Sequence, residues 1–325
     1  MNRTIRLSVA IPIHNEEGVL ALLLTRTLAV LDQIPGGPHE LVFVDDGSRD
    51  NSFAMLEEAA RQDARIQVIS LSRNFGHQAA LAAALDYVTG DATVVMDGDL
   101  QDSPEVIPRF LEKYNQGFDV VYAQRIRRKE PWPLRLCYFA FYRLMTKLSD
   151  IQLPLDAGDF GLMSHRVVDQ LRRMPEHHRY LRGMRTWVGF KQVGIPVERE
   201  ERHAGKSKYS LMRLARLAAD GIFAFSIVPI RAAAILGAIV SGLAVLYSLY
   251  ALYVKLFFQQ SPKGFTALIL ILTFLSGVLL FFLGIIGEYV GRIYEETKAR
   301  PIYLISRVVG QRTKDKAISA TRGSR

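Results

Sequence analysis

Two uncharged apolar runs near the C-terminus, Ala232–Val254 and Gly264–Gly287, constrain this chain more than any other feature. Each exceeds the roughly 20 residues that cross a hydrocarbon core of about 30 Å. Neither contains Lys, Arg, Asp or Glu. A lipid-embedded run must satisfy its backbone N–H and C=O groups internally, so both are expected to be helices. The short stretch Lys255–Lys263 between them predicts an antiparallel hairpin that returns the chain to its starting side. Basic residues gather on that side, with Arg231 before the hairpin and Arg292, Lys298, Arg300 and Arg307 after it. The positive-inside rule then predicts a multi-pass protein of the inner (plasma) membrane, with both termini and the large N-terminal part cytoplasmic.

That N-terminal part alternates two periodicities. Ile5–Ile13, Glu40–Val44, Ile66–Leu71, Thr93–Met96 and Val120–Ala123 are short, largely apolar β-rich runs. Between them, Glu17–Leu31, Ser52–Arg61, His77–Val88 and Pro104–Tyr114 carry helical spacing. The alternation predicts βαβ units and an α/β, Rossmann-like, mainly parallel sheet with helices on both faces. Ligands of such sheets bind beyond the carboxyl ends of the strands. Asn15-Glu16, Asp45-Asp46 and Asp97-Gly98-Asp99 all fall at such ends, after the first, second and fourth strands.

Two carboxylates one residue apart, with Gly98 allowing close backbone approach, can grip Mg²⁺ or Mn²⁺ that also bridges a diphosphate. Asp97 and Asp99 have that spacing, and Gln101 can add a third oxygen. Such an ion neutralises charge on a departing nucleoside diphosphate. Asp46 is placed to hydrogen-bond a nucleoside base or ribose. Pro12 to Glu17 end the first strand, where Glu16 or Glu17 could reach ribose hydroxyls while Asn15 caps the following helix.

Other classes lose support. There is no Gly-x-Gly-x-x-Gly and no Gly-x-x-x-x-Gly-Lys-Ser/Thr, which removes the main signal for dinucleotide oxidoreductases and P-loop enzymes. The net charge of +9 comes with no DNA- or RNA-reading motif, so no nucleic-acid partner is expected. A basic surface facing anionic lipid fits the hairpin better. Cys137 is the single cysteine, which excludes an internal disulfide and a Cys-rich metal site. The N-terminus opens into a strand pattern, predicting no cleavable signal peptide. Two amphipathic stretches, about 132–149 and 209–225, are expected to be interfacial helices, because each carries basic residues at helical spacing.

The motifs taken as a set resemble glycosyltransferase family 2. They are Pro-x-x-Asn-Glu-Glu (12–17), Val-Asp-Asp-Gly-Ser (44–48), Ser-Arg-Asn-Phe-Gly-His-Gln (72–78), Met-Asp-Gly-Asp-Leu-Gln-Asp (96–102) and Asp-Ala-Gly-Asp-Phe-Gly-Leu-Met (156–163). More narrowly, the chain is similar to bacterial polyprenyl-phosphate glycosyltransferases of the dolichol-phosphate mannose synthase type. Gly287 to Glu296, followed by Arg300-Pro301 and Tyr303, is similar to the segment after the membrane in the subgroup with two membrane helices. The resemblance implies a GT-A fold, an inverting mechanism, a divalent metal and transfer of one sugar to an isoprenoid phosphate. It implies that Asp99 and Gln101 hold the metal, with Asp97 and Asp46 near the nucleotide. Asp159 is the first candidate for the catalytic carboxylate and Asp156 the second. One departure is Gly161, where the family pattern Asp-Phe-Arg-Leu has Arg.

A phosphate monoester has a second pKa of about 6, so the acceptor is largely ionised at neutral pH without a base. It needs cations, and Arg125, Arg128, Arg202, Lys206 and Lys208 are the candidates. Arg202 to Tyr209 resembles the family's Arg-x-x-Gly-x-Ser-Lys loop, which assigns Arg202 and Lys206 to donor or acceptor phosphates. The expected organisation is a GT-A domain over 1–226, a transmembrane hairpin over 227–290 and a cytoplasmic tail over 291–325. The expected function is inverting transfer of a single hexose, such as glucose, from a nucleotide-diphosphate sugar to undecaprenyl or another polyprenyl phosphate. A processive polysaccharide synthase is the enzymatic rival, disfavoured because two helices cannot enclose a channel. An inactive membrane adaptor is the other, disfavoured by the intact carboxylates. Homo-oligomer formation is left open.

Overall fold

The computed structural model describes residues 5–125, 157–177, 179–198, 228–258 and 264–310. Strand β1 (Leu7–Ile13) is buried along its whole length, as expected for a central strand covered on both faces. It pairs in parallel with β2 (Glu40–Asp45) on one side and β4 (Ala92–Val95) on the other. Pro12 lies beyond the last β4 partner of β1, so its missing N–H leaves no ladder bond unfilled there. Strand β3 (Ile66–Leu71) pairs with β2 in parallel.

The eight-stranded sheet has the order β7-β5-β6-β4-β1-β2-β3-β8. Strand β5 (Val120–Arg125) and β7 (Gln192–Val197) run parallel to each other. Strand β6 (Ala157–Ser164) is antiparallel to both β4 and β5, and β8 (Ile305–Val309) is antiparallel to β3. The expected mainly parallel α/β sheet is therefore present, with two reversed strands that the alternation did not reveal.

Alternation along the strands sorts side chains into two cores. Leu7, Val9, Ile11 and Ile13 pack with α1 (Glu17–Gln33), α2 (Ser52–Gln62) and α4 (Ile107–Asn115) on one face. Ala10, Val42, Val44 and Val95 pack on the other face with α3 (His77–Tyr87), α5 (His165–Arg173) and α6 (Leu181–Trp187). The buried side of α3 is mostly alanine, which brings this helix close to the sheet.

The described residues form two compact units, one made of this sheet and its helices and the other of residues within 211–299. The second unit contains α7 (Val228–Phe258) and α8 (Phe265–Thr297), of 31 and 33 residues. At about 1.5 Å per residue these helices exceed the roughly 30 Å of a hydrocarbon core. Ala233–Val254 and Phe274–Thr297 are long and apolar enough to cross a membrane, and neither is buried within the protein. Leu246 and Leu280 expose 65% and 67% of their surface, so among the described residues these helices are not buried core helices.

Helix α8 runs past the expected hairpin boundary, and the segment after it is not wholly a tail. Residues 305–309 rejoin the eight-stranded sheet as β8. Ser72 donates its backbone N–H to Leu304 O at 2.8 Å, and the Tyr303 hydroxyl donates to Asp86 Oδ2 on α3 at 2.6 Å. Both expected amphipathic helices, 132–149 and 209–225, lie outside the described residues.

Candidate active site

The carboxyl ends of β1, β2 and β4 are neighbours in the sheet, so the acidic motifs that follow them converge. The turn after β4 is packed hard against the end of β1. A Cβ at Gly98 would run into Ile13 Cδ1 and stand 3.0 Å from Pro12 O, so any side chain there would have to displace the end of Ile13 and press on β1. Leu100 adopts a left-handed φ of 58° and is fully buried. Burying a leucine is worth about 1.5–3 kcal/mol, enough to offset the roughly 1–2 kcal/mol cost of that conformation. The buried Leu100 anchors the turn, while Asp99 and Gln101 on either side remain half-buried. Asp99 Oδ1 accepts the Gln101 N–H at 3.1 Å, which closes the turn.

The loop after β2 makes a second close approach. Gly47 has a φ of 63°, and a Cβ there would lie 2.6 Å from the Arg73 carbonyl carbon. Asp46 accepts the backbone N–H groups of Phe75 at 2.7 Å and Gly76 at 2.9 Å, one on each carboxylate oxygen. Its own N–H donates to Ile13 O at 2.9 Å. Asp46 is only 3% exposed. Through its two carboxylate bonds Asp46 also holds the 72–76 loop that leads into α3.

Asn15 also differs from expectation. The cap position of α1 is Glu16, with no side-chain capping bond. Asn15 has a left-handed φ of 57°, which turns its amide toward the β2 loop, where Oδ1 accepts the Arg49 N–H at 2.8 Å. Glu17 Oε2 accepts the Asn51 N–H at 2.9 Å, so it braces the start of α2. Glu16 and buried Pro12 stay at the end of β1 as placed by the sequence.

Asp159 on β6 faces the same cluster. Its carboxylate is held at both oxygens by Arg182 of α6, with Nε to Oδ1 at 2.8 Å and Nη2 to Oδ2 at 3.1 Å. His77, the first residue of α3, places Nε2 3.8 Å from Asp159 Oδ2 and 3.5 Å from Asp97 Oδ1. Burial alone would favour the protonated acid. The charge of Arg182 and the contacts from His77 and Arg182 outweigh it and hold Asp159 well below the usual carboxylate range. Desolvation favours the neutral His77 ring, but the contact with Asp159 and the charges of Asp97 and Asp159 raise its pKa.

The sequence reading missed His77, although its motif was noted, and it missed Arg182, for which no sequence signal existed. Arg125 ends β5, opposite Val197 of β7. Asp156, Arg128, Arg202, Lys206 and Lys208 lie outside the described residues. At Gly161, where the family pattern has Arg, a Cβ would come within 2.5 Å of Val121 O and 3.0 Å of Tyr122 Cα. The glycine is therefore matched to its neighbours, and no side chain fits there without moving β5.

Asp97, Asp99 and Gln101 form an oxygen-only donor set, which suits a hard divalent cation. Among the described residues no three His, Cys, Asp or Glu side chains form a metal-holding group. Two carboxylates still fit an ion that keeps waters and takes phosphate oxygens from its ligand, the usual habit of Mg²⁺.

The sequence profile of Glycosyl transferase family 2 matches residues 8–172. The chain belongs to this family. It is a glycosyltransferase, and its matched region holds β1 to β6 and every acidic motif described above. An uncharacterized glycosyltransferase of Bacillus subtilis, YkcC, is 43% identical over 95% of this chain and 96% of its own length. The prophage bactoprenol glucosyl transferase homolog of Escherichia coli is 36% identical over 93% of this chain and 99% of its own. The bactoprenol glucosyl transferase of Shigella phage SfX is 37% identical over 92% and 98%. Among solved structures, a mannosyltransferase of Pyrobaculum calidifontis in complex with GDP-Man and Mn²⁺ superposes with a TM-score of 0.48 at 17% identity, over 69% of this chain and 64% of that one.

Proposed function

We propose that this enzyme transfers one glucose from a nucleotide-diphosphate sugar to undecaprenyl or another polyprenyl phosphate at the cytoplasmic face of the membrane. One observation carries the reading. Acid-bearing strand ends and two exposed apolar helices occur in a single chain that relatives named bactoprenol glucosyl transferase match over 92–93% of its length. Such a match extends through the apolar helices and is not confined to the catalytic sheet.

The chemistry follows from the acceptor. An oxygen of the ionised lipid phosphate attacks the anomeric carbon from the face opposite the nucleoside diphosphate. The old C–O bond breaks as the new one forms, and the configuration inverts. No proton need be removed from a phosphate already ionised at neutral pH. Asp97, Asp99 and Gln101 would hold a Mg²⁺ or Mn²⁺ ion, which supplies positive charge at the leaving diphosphate. Glu16 and Pro12 border the space for the nucleoside, and Asp46 keeps the 72–76 loop in place beside it. Arg125, Arg128, Arg202, Lys206 and Lys208 are assigned to donor and acceptor phosphates. The GT-A domain is assigned to 1–226 together with the returning strand β8, and the hairpin to α7 and α8, with both termini cytoplasmic.

Purified protein incubated with polyprenyl phosphate and a panel of nucleotide sugars should yield a lipid one hexose heavier, read by mass, with the glucose donor. A ladder of several hexoses would mean a processive synthase, and no lipid product with any donor would reject the reading. For topology, tags before Met1 and after Arg325 should both report cytoplasm. A tag reading the opposite side at the C-terminus would mean that only one helix crosses.

A further inference from the structure

The two arginines of α6 stand one helical turn apart, and both grip the same short stretch of β6. Arg182 forks onto the Asp159 carboxylate at 2.8 and 3.1 Å. Arg185 donates from Nη2 to Gly158 O at 3.3 Å, so it holds the peptide just before Asp159. Arg185 is 1% exposed, and its guanidinium lies over the Tyr122 ring at 5.2 Å. Glycines make room for that ring. A Cβ at Gly194 would stand 2.8 Å from Tyr122 Cε2, and one at Gly161 would crowd the Tyr122 backbone. Burial pushes the Arg185 guanidinium down to about 10, which leaves it charged at neutral pH beside Asp159.

We propose that Arg182 is a positioning residue of the sugar-transfer site, fixing Asp159 as a permanent anion so that Asp159 anchors the site and moves no proton. The inference rests on the transfer reading above. Its physical basis is the bidentate geometry. A carboxylate with both oxygens engaged by one guanidinium is fixed in orientation and disfavours the added proton. Only 8% of the Asp159 side chain is exposed, so removing the partner would strand a buried charge. His77 then sits between two carboxylates, Asp159 and Asp97, and links β6 to the acidic turn after β4.

The test is a double-mutant cycle on the full chain, with Arg182→Met, Asp159→Asn and the two combined. Arg182→Met is expected to lower kcat about 10²-fold while both KM values stay within about threefold, because nothing that binds substrate is removed. Arg182→Lys should recover about tenfold of that loss, since it restores charge without the fork. The double variant should be no slower than the slower single, the mark of two residues acting as a unit. Additive losses, a raised acceptor KM in Arg182→Met, or unchanged kcat would each overturn the inference. The cycle is read in parallel on hydrolysis of the donor by water, which needs no lipid. If wild type leaves polyprenyl phosphate unmodified, the transfer reading fails, and the donor-hydrolysis cycle still decides whether Arg182 positions Asp159.

Discussion

Asp99→Ala is expected to lower turnover by about 10²-fold or more, and excess chelator should bring the wild-type enzyme to a similar level. The loss follows from removing one oxygen that holds charge opposite the leaving diphosphate, a class of stabilisation whose single groups are worth about 10²–10³ in kcat. Asp99 also closes its own turn by accepting the Gln101 N–H, so the alanine variant mixes two effects. Asp99→Asn separates them. Its amide oxygen can still accept that N–H, whereas its charge is gone. If the metal assignment holds, Asn should be nearly as slow as Ala, with a melting temperature close to wild type. Undiminished turnover in excess chelator would reject the assignment.

Asp46→Ala should act through stability first. Two part-buried backbone donors, Phe75 and Gly76, lose their buried acceptor. At about 1–2 kcal/mol for each part-buried group, the loss is about 2–4 kcal/mol, or a fall of roughly 4–16 °C in melting temperature. Asp46→Asn should be nearly as harmful, since its NH₂ group would face one of the two N–H donors. Activity should fall too, because Gly76 immediately precedes His77 at the start of α3. An Asp46→Ala protein with unchanged melting and only a raised donor KM would show that Asp46 touches the nucleoside instead.

Both predictions mark the boundary of what the sequence reveals. Strands β1 to β5 and helices α1 to α4 were legible because a parallel sheet alternates two periodicities, and each acid sits visibly at a strand end. The residue types of the site were legible for the same reason. Their tasks were not. Nothing in Asp45-Asp46 says that the second carboxylate also accepts from amides 29 and 30 residues further on. Asn15 reads as a helix cap until its left-handed backbone turns it away. Arg182 and Arg185 carry no motif, and only folding of α6 over β6 brings them to Asp159. Strand β8 was the largest omission. Its partner is chosen by the open edge of β3, a three-dimensional fact with no local signature in residues 305–309.

That late strand sets the order in which the protein can be completed during synthesis. Tyr303 and its partner Asp86 are 217 residues apart in the chain. At about 5–20 residues per second a ribosome needs roughly 10–45 s to travel between them. Throughout that interval the outer edge of β3 has unpaired N–H and C=O groups, the kind of edge that recruits foreign strands. Both apolar helices must be made before β8 appears, so the sheet is sealed only after they have left the ribosome. A chain cut short between α7 and α8 lacks its last strand, which leaves the β3 edge open to aggregation before the protein can act.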